Sequence, residues 1–134
     1  MTLVDANVLL DLVTDDPRWA QWSIAALEAA SLRGPMQIND VIYAELSVRY
    51  QRIEDLDAFV EQAGLTQAPI PKAALFLAGK VFMDYRRSGG SRTGVLPDFF
   101  TGAHAAVSGL PLLTRDLGRY RTYFPTLTLI TPEG

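Results

Sequence analysis

The sequence predicts an α/β fold in which a mainly parallel sheet of four or five strands lies between two layers of helices. Short apolar segments alternate with longer helical patterns, and strands separated by helices need crossover connections that make them parallel. The length of 134 residues fits one domain. A content of 49% apolar and 20% charged residues is typical of a globular protein. We therefore expect a single α/β/α domain over residues 1–134.

The N-terminal half begins with an apolar strand that helices follow. Asp16 and Pro17 are typical of a helix start, because Asp caps the first turn and Pro fits the first helical position. Asp40 can cap a later helix in the same way. One face of the first long helix carries Trp19, Trp22, Ala26, Ala29 and Ala30. The predicted ranges are strand 2–4, helix 7–13, helix 17–33, strand 36–38, helix 41–50 and helix 56–63.

The C-terminal half continues the alternation around a glycine-rich loop. Pro71 opens a long helix, Gly89 and Gly90 indicate the loop, and Gly109 ends the next helix. Pro111 has no N–H to donate, so it belongs at the start of its strand. The predicted ranges are helix 71–87, loop 88–97, helix 98–107, strand 110–113, helix 115–123 and strand 127–130.

The composition excludes several kinds of site. The chain has no cysteine, which rules out a disulfide scaffold and a thiolate zinc site. The single histidine, His104, rules out zinc sites with two or three histidines. It lies about 120° around a helix from Asp98, so we expect it to have a structural role. The net charge of −3 neither predicts nor excludes nucleic-acid binding, because bound cations can supply the positive charge.

Signals for export or membrane insertion are not visible in the sequence. No basic segment precedes an apolar one at the N-terminus. The apolar runs are far shorter than the ~20 residues that a spanning helix needs. We therefore expect a cytoplasmic protein without a membrane partner.

Three aspartates stand where an α/β domain would place a site. Asp5 ends the first strand and Asp116 closely follows a later one, and sites form at the carboxyl ends of parallel strands. Asp98 follows Pro97 at a helix start, with the small residues Gly102 and Ala105 near its face. Helix N-capping is the alternative role for each aspartate.

Glu45 is the most informative acid, because its helical neighbours Val41, Ile42 and Val48 are apolar. Burying a carboxylate on such a face is costly unless it is paired or bound to a cation. The alternative is a surface pair with Arg49, which contributes only ~0.3–0.5 kcal/mol and does not explain the apolar neighbours.

Converging carboxylates are the typical site for Mg²⁺ or Mn²⁺. Both ions are hard and prefer oxygen ligands. A bound ion can generate hydroxide near neutral pH and stabilise charge on a phosphate. Such chemistry requires neither histidine nor cysteine, which suits this composition.

Several short motifs together carry a family resemblance. They are Val4-Asp5-Ala6-Asn7, Glu45, Pro97-Asp98-Phe99-Phe100-Thr101-Gly102-Ala103-His104-Ala105, Thr114-Arg115-Asp116 and Arg119-Tyr120. In this order, and spanning nearly the whole chain, they resemble a PIN domain, most closely the VapC-type toxins of bacterial toxin–antitoxin pairs. The Phe99-Phe100 pair is bulkier than in many members.

The resemblance implies a Rossmann-like fold and a metal-dependent endoribonuclease that hydrolyses RNA with Mg²⁺ or Mn²⁺ as its cofactor. It also implies a cognate VapB-type antitoxin and a homodimer as partners. It carries over a catalytic quartet, whose aspartates would bind the metal: Asp5, Glu45, Asp98 and Asp116. Asn7 matches the residue that orients the first acid, and Thr114 the hydroxyl residue that supports the last.

Arginines lie close to the predicted site in the sequence. Arg92 follows the glycine-rich loop, and Arg115 directly precedes Asp116. Both are candidate RNA contacts that would bind phosphates without reading the base sequence. The alternative is that they are solvated cations at helix ends.

Three other functions remain open from the sequence. A receiver-like signalling domain also has an acidic Mg²⁺ pocket, but it needs a lysine after a late strand, and Lys72 and Lys80 both come earlier. A PIN-like binding module without catalysis would bind metal and leave RNA intact. A nuclease acting on DNA is the third, because the metal chemistry does not itself require a 2′-hydroxyl.

Overall fold

The computed structural model describes residues 1–92, 94–116 and 118–132. Thr93 in the predicted loop, Leu117 in the predicted helix 115–123 and the last two residues lie outside the described part. The strands are β1 (Thr2–Val4), β2 (Met36–Ile38), β3 (Leu65–Gln67), β4 (Leu112–Leu113) and β5 (Leu129–Ile130). The helices are α1 (Ala6–Val13), α2 (Ala20–Arg33), α3 (Asp40–Ser47), α4 (Ile53–Gln62), α5 (Lys72–Arg87), α6 (Leu96–Ser108) and α7 (Gly118–Tyr123).

The five strands form one parallel sheet in the order β3-β2-β1-β4-β5, flanked by helices. This confirms the predicted α/β/α architecture. The chain places β2 and β3 on one side of β1, and then β4 and β5 on the other side. The order therefore reverses between β1 and β4, and a cleft for ligands opens at such a switch point, outside the carboxyl ends of the strands.

The centre of the sheet is the centre of the core. Leu3 and Val4 of β1 and Leu112 and Leu113 of β4 are all 0% exposed. Their uninterrupted apolar character follows from burial on both faces, as is usual for central parallel strands. Within residues 1–92, 94–116 and 118–132, no helix combines the length and hydrophobicity needed to cross a membrane.

The first long helix begins later than predicted, and the residues that it buries are mostly not those of the face described from the sequence. It begins at Ala20, because Asp16 caps a preceding turn by accepting hydrogen bonds from the N–H groups of Arg18 (2.8 Å) and Trp19 (2.9 Å). Ala29, which the helical spacing places on the same face as Ala26 and Ala30, is exposed. The buried residues of α2 are Ala20, Ser23, Leu27 and Ala30.

The next two helices also differ at their ends. Asn39, and not Asp40, caps α3, because its Oδ1 accepts a hydrogen bond from the N–H of Ile42 at 2.9 Å. That helix ends at Ser47, three residues before the predicted end. The following helix begins at Ile53, three residues before its predicted start.

The sequence analysis missed one strand and predicted two others to be longer than they are. Of the three residues in β3 only Leu65 is buried, so the segment lacks the apolar run that indicates a strand. It pairs with β2 through the register Met36 to Leu65. The strands β4 and β5 have two residues each, and the described part of α7 begins at Gly118.

Candidate metal and nuclease site

The carboxyl ends of β1 and β4 bring the first and last predicted motifs together. Asp5 directly follows β1 and caps α1, while Thr114 directly follows β4. The N–H of Asp5 donates to the carbonyl oxygen of Leu113 at 2.9 Å, which continues the pairing of the two strands to their ends. The predicted strand-end acid therefore lies at the switch point of the sheet.

Asp5 is 4% exposed and its carboxylate accepts four hydrogen bonds, the longest of them from Asn7 Nδ2 to Oδ2 at 3.5 Å. Its Oδ1 accepts from the N–H of Ala6 at 2.8 Å. Its Oδ2 accepts from the hydroxyls of Thr114 at 2.8 Å and Tyr120 at 3.0 Å. Asp5 thus has the N-capping role that the sequence offered as one alternative, and its Oδ2 contacts other residues of the predicted site.

Asn7 and Thr114 link the two strand ends. The Asn7 Nδ2 donates to Thr114 Oγ1 at 3.2 Å, and its Oδ1 accepts from the N–H of Arg115 at 3.2 Å. Thr114 Oγ1 also accepts from the N–H of Asp116 at 3.1 Å. The hydroxyl of Thr114 therefore contacts both Asp5 and the backbone of Asp116, where the resemblance expects a supporting residue.

The carboxylates of three elements are close enough to perturb one another. Burial, and then the charge of Asp98, raise the pKa of Asp5 to about 6. Burial, and then the charges of Asp5 and Asp98, raise the pKa of Glu45 to about 7. Burial raises the pKa of Asp98, and Asp116 adds to the increase while Arg119 opposes it. The structure thus brings all four predicted acids into one electrostatic cluster.

The apolar-face argument for Glu45 is correct only in part. Ile42 is 0% exposed, as expected, but Val48 is 80% exposed and lies outside the core. Glu45 itself is partly buried. Among the ion pairs of the described residues none joins Glu45 to Arg49, so the surface-pair alternative is not observed.

Arg119 lies inside the acidic cluster. Its Nη1 forms an ion pair with Asp98 Oδ2 and is 3.6 Å from Asp116 Oδ2. Its backbone N–H also donates to Asp116 Oδ1 at 3.4 Å. The sequence analysis named Arg119 only as part of a motif, and the pattern did not pair it with Asp98, which lies 21 positions away in the chain.

The donor set fits a hard divalent cation, although the side chains do not yet form a complete cage. In the described part of the chain, no group of three acidic side chains has the spacing needed to hold a metal ion. The guanidinium of Arg119 contacts two of the acids instead. All the candidate ligands are carboxylate oxygens, and their mutual repulsion is what a bound cation relieves.

Tyr120 is a component of the site that the sequence left without a role. It is 0% exposed, and its hydroxyl donates to Asp5. Burial and the charges of Asp5 and Asp98 raise its pKa well above the usual value, so it remains a proton donor. The pattern of a short polar helix gave no signal for it beyond its place in the Arg119-Tyr120 motif.

Arg115 does not extend towards solvent as the RNA-contact prediction supposed. Its Nε and Nη2 donate to the two carboxylate oxygens of Asp11 at 2.6 and 2.8 Å. Asp11 is 2% exposed and also accepts from Ser23 at 2.7 Å. The Arg115 guanidinium stacks 5.0 Å from the ring of Trp19. This geometry gives Arg115 a structural role and does not support the RNA-contact prediction.

Arg92 and His104 are the remaining residues that the sequence analysis considered. Arg92 is exposed, and its backbone N–H donates to the hydroxyl of Tyr85 at 3.1 Å. His104 is 2% exposed, and its Nδ1 is 3.1 Å from Nδ2 of Asn39, the residue that caps α3. Burial lowers the pKa of His104, which favours the neutral ring. Its position agrees with the structural role expected from the sequence.

The comparisons with known proteins identify the family. The PIN domain profile matches residues 2–125. No curated protein matches the sequence. The fold is similar to the VapBC2 structure from Rickettsia felis bound to promoter DNA, with 16% identity, a TM-score of 0.73 and 97% of each chain covered. It is also similar to VapBC-1 from nontypeable Haemophilus influenzae, with 14% identity, a TM-score of 0.71 and coverages of 97% and 96%.

A third similar structure is a toxin–antitoxin complex from Klebsiella pneumoniae, with 21% identity, a TM-score of 0.69 and 98% of each chain covered. At these identities the likeness shows the fold, which extends over nearly the full length of each chain. The profile match covers more than nine tenths of this sequence, including every acid of the cluster. The chain therefore belongs to the PIN domain family, whose members are nucleases.

Proposed function

We propose that this chain is a metal-dependent endoribonuclease and the toxin component of a VapBC-type toxin–antitoxin pair, with residues 1–134 acting as a single domain. The observation that carries the proposal is the cluster of carboxylates at the switch point of a PIN fold. Its members are Asp5, Glu45, Asp98 and Asp116. Burial and mutual repulsion raise the pKa values of the first three, which is the condition that a divalent cation relieves.

Asp5, Asp98 and Asp116 would hold Mg²⁺ or Mn²⁺. When bound, the ion supplies an acidified water and stabilises negative charge on the phosphate. Thr114 and Asn7 orient Asp5 through their hydrogen bonds, so that its carboxylate is fixed before a ligand arrives. Glu45, with a pKa of about 7, can accept or release a proton near neutral pH.

The toxin role and its partners rest on the comparisons. The similar structures include complexes described as VapBC and as toxin–antitoxin pairs. By analogy we expect a VapB-type antitoxin and a homodimer. RNA is the expected substrate because the resemblance is to VapC-type toxins. Arg92 is the remaining candidate phosphate contact, since its side chain is exposed.

The test is cleavage of total cellular RNA by the purified protein with Mg²⁺, with Mn²⁺ and with EDTA. Asp98→Asn should lower the rate by at least ~100-fold, because it removes a ligand charge with almost no change in shape. Asp55→Asn is the matched control, since Asp55 is exposed on α4. Cleavage that survives EDTA, or an Asp98→Asn rate equal to that of Asp55→Asn, would contradict the proposal.

The same assay separates the other functions. A single-stranded DNA with the sequence of an RNA that the protein cuts serves as the comparison. If the DNA is cut as fast as that RNA, the protein is a nuclease without preference for RNA. Bound metal without cleavage of either polymer would identify a binding module. For Arg92, the Arg92→Ala variant should bind RNA with a salt dependence reduced by about one phosphate contact.

A further inference from the structure

The guanidinium of Arg119 competes for space with a metal ion. Its Nη1 contacts Asp98 and lies 3.6 Å from Asp116 Oδ2. A guanidinium has five N–H donors and no lone pair for a metal, so it can neutralise carboxylates but cannot join their coordination shell. Each carboxylate oxygen that faces Arg119 is therefore withdrawn from a cation until the guanidinium moves away.

The location of Arg119 allows such movement. Its side chain is 24% exposed, so it lies at the edge of the cluster and not in its interior. Its backbone N–H is bonded separately to Asp116 Oδ1, so the side chain can rotate towards solvent while the helix stays in place. Asp5 is different, because the hydroxyls of Thr114 and Tyr120 satisfy it. Competition by Arg119 is thus confined to Asp98 and Asp116.

We propose that Arg119 is an internal counter-cation that competes with the divalent metal for Asp98 and Asp116 and thereby sets the metal concentration at which the site fills. This inference rests on the proposed function, since it requires that these acids bind metal. If Arg119 formed only a structural ion pair between α6 and α7, the opposite result is expected. Loss of that pair would leave the metal affinity unchanged or weaken it.

Binding of Mn²⁺ to EDTA-stripped protein, measured by calorimetry without RNA, tests the competition. We expect Arg119→Gln to lower the Kd for Mn²⁺ by about tenfold relative to the wild type, because a charge within a few ångströms is removed. Arg33→Gln is the matched control, with the same change of net charge at an exposed position in the last turn of α2. Its Kd should stay within about twofold of the wild type, since solvent and salt screen a distant charge.

A Kd for Arg119→Gln equal to or higher than that of Arg33→Gln would overturn the inference. Arg119→Lys serves as a second variant if the glutamine variant unfolds. It keeps the charge and should keep the Kd within about threefold of the wild type. Tight binding by the lysine variant, like that expected for glutamine, would also contradict competition by charge.

A third variant, Asp116→Asn, distinguishes failure of this inference from failure of the proposed function. If Asp116→Asn loses Mn²⁺ binding and Arg119→Gln gains none, the metal site stands and the competition is wrong. If neither the wild type nor Arg119→Gln binds Mn²⁺, both proposals fail. Thermal unfolding gives an independent readout, because Mn²⁺ should raise the Tm of Arg119→Gln more than that of the wild type.

Discussion

At the scale of single residues, Asp5 shows how one side chain can be satisfied and perturbed together. Four donors hold its oxygens, and three of them, Ala6, Thr114 and Tyr120, lower its pKa. Burial and the charge of Asp98 outweigh them and raise the pKa to about 6. The position is therefore well ordered but electrostatically unfavourable without a cation, a combination typical of functional sites.

The pH dependence of stability should reveal this cost. The pKa values of Asp5 and Glu45 are raised to about 6 and 7 in the folded protein, so the native state retains protons that the unfolded chain releases. In EDTA, the contribution of these two acids to the free energy of unfolding should be fully present below about pH 4 and be lost as the pH rises to about 7. Asp5 alone should account for a loss of unfolding free energy on the order of 3 kcal/mol over this change of pH.

Urea unfolding at several pH values measures this trend. Glu45→Gln should flatten it between pH 5 and 7, whereas Glu54→Gln, at an exposed position, should leave it unchanged. If the free energy of unfolding of the metal-free protein rises between pH 5 and 7, the clustered acids do not destabilise the fold as expected.

The sequence revealed the acids of the site more readily than their partners. Asp5 and Asp116 could be located because strand ends of a parallel sheet meet at one edge. Tyr120 and Arg119 could not, because their contacts with Asp5 and Asp98 span 115 and 21 positions. The same holds for the pairing of Asp11 with Arg115, 104 positions apart.

At the scale of elements, α6 depends on close packing against Phe124. A Cβ added to Gly102 would lie 2.5 Å from two carbons of the Phe124 ring. Phe124 is 4% exposed, and its ring packs edge-on against Phe99 with 6.3 Å between the ring centroids. The small residue that the sequence placed near the face of Asp98 thus lets α6 approach the segment after α7.

Gly102→Ala should therefore lower the free energy of unfolding by about 1–3 kcal/mol, as overpacking usually does. Gly79→Ala is the matched control, because a Cβ there meets no atom within 4 Å and α5 should gain up to about 1 kcal/mol. Chemical denaturation of both variants gives the comparison. If Gly102→Ala were stabilised like Gly79→Ala, the close packing would be wrong.

The order of elements was predictable, whereas several boundaries were not. Apolar runs such as Leu3-Val4 indicate buried strands from sequence alone. The edge strand β3 buries only Leu65, so nothing in its pattern separates it from a loop. The N-cap of α3 lies one residue before the predicted one. Asn39 and Asp40 are both good caps by type, and the tertiary contact of Asn39 with His104 distinguishes them.

At the scale of the whole molecule, β5 supports the site without contributing an acid. The N–H of Leu112 donates to the carbonyl of Thr128 at 2.9 Å, and the N–H of Thr114 to that of Ile130 at 3.0 Å. These bonds fix the backbone of Thr114, whose hydroxyl holds Asp5. The final strand therefore stabilises the backbone beside the candidate metal site.

Truncation after Leu127 should test this dependence. We expect the free energy of unfolding to fall by about 3 kcal/mol or more, because two hydrogen bonds and the partly buried Leu129 and Ile130 are lost. Mn²⁺ binding should weaken in parallel. Thr128→Ala keeps the backbone of the strand and should change stability by less than about 0.5 kcal/mol. Full stability in the truncated chain would exclude a supporting role for β5.

The pairing of β1 with β4 has a consequence for how activity begins. Asp5 and Thr114 are 109 positions apart, and their strands are neighbours at the centre of the sheet. Contacts between distant segments are the slowest to form during folding, because a long loop must close first. The N-terminal strands can collapse early, yet Asp5 and Asp116 are brought together only when β4 pairs with β1. Under the proposed function, a newly synthesised chain would therefore be inactive until this long-range pairing is complete.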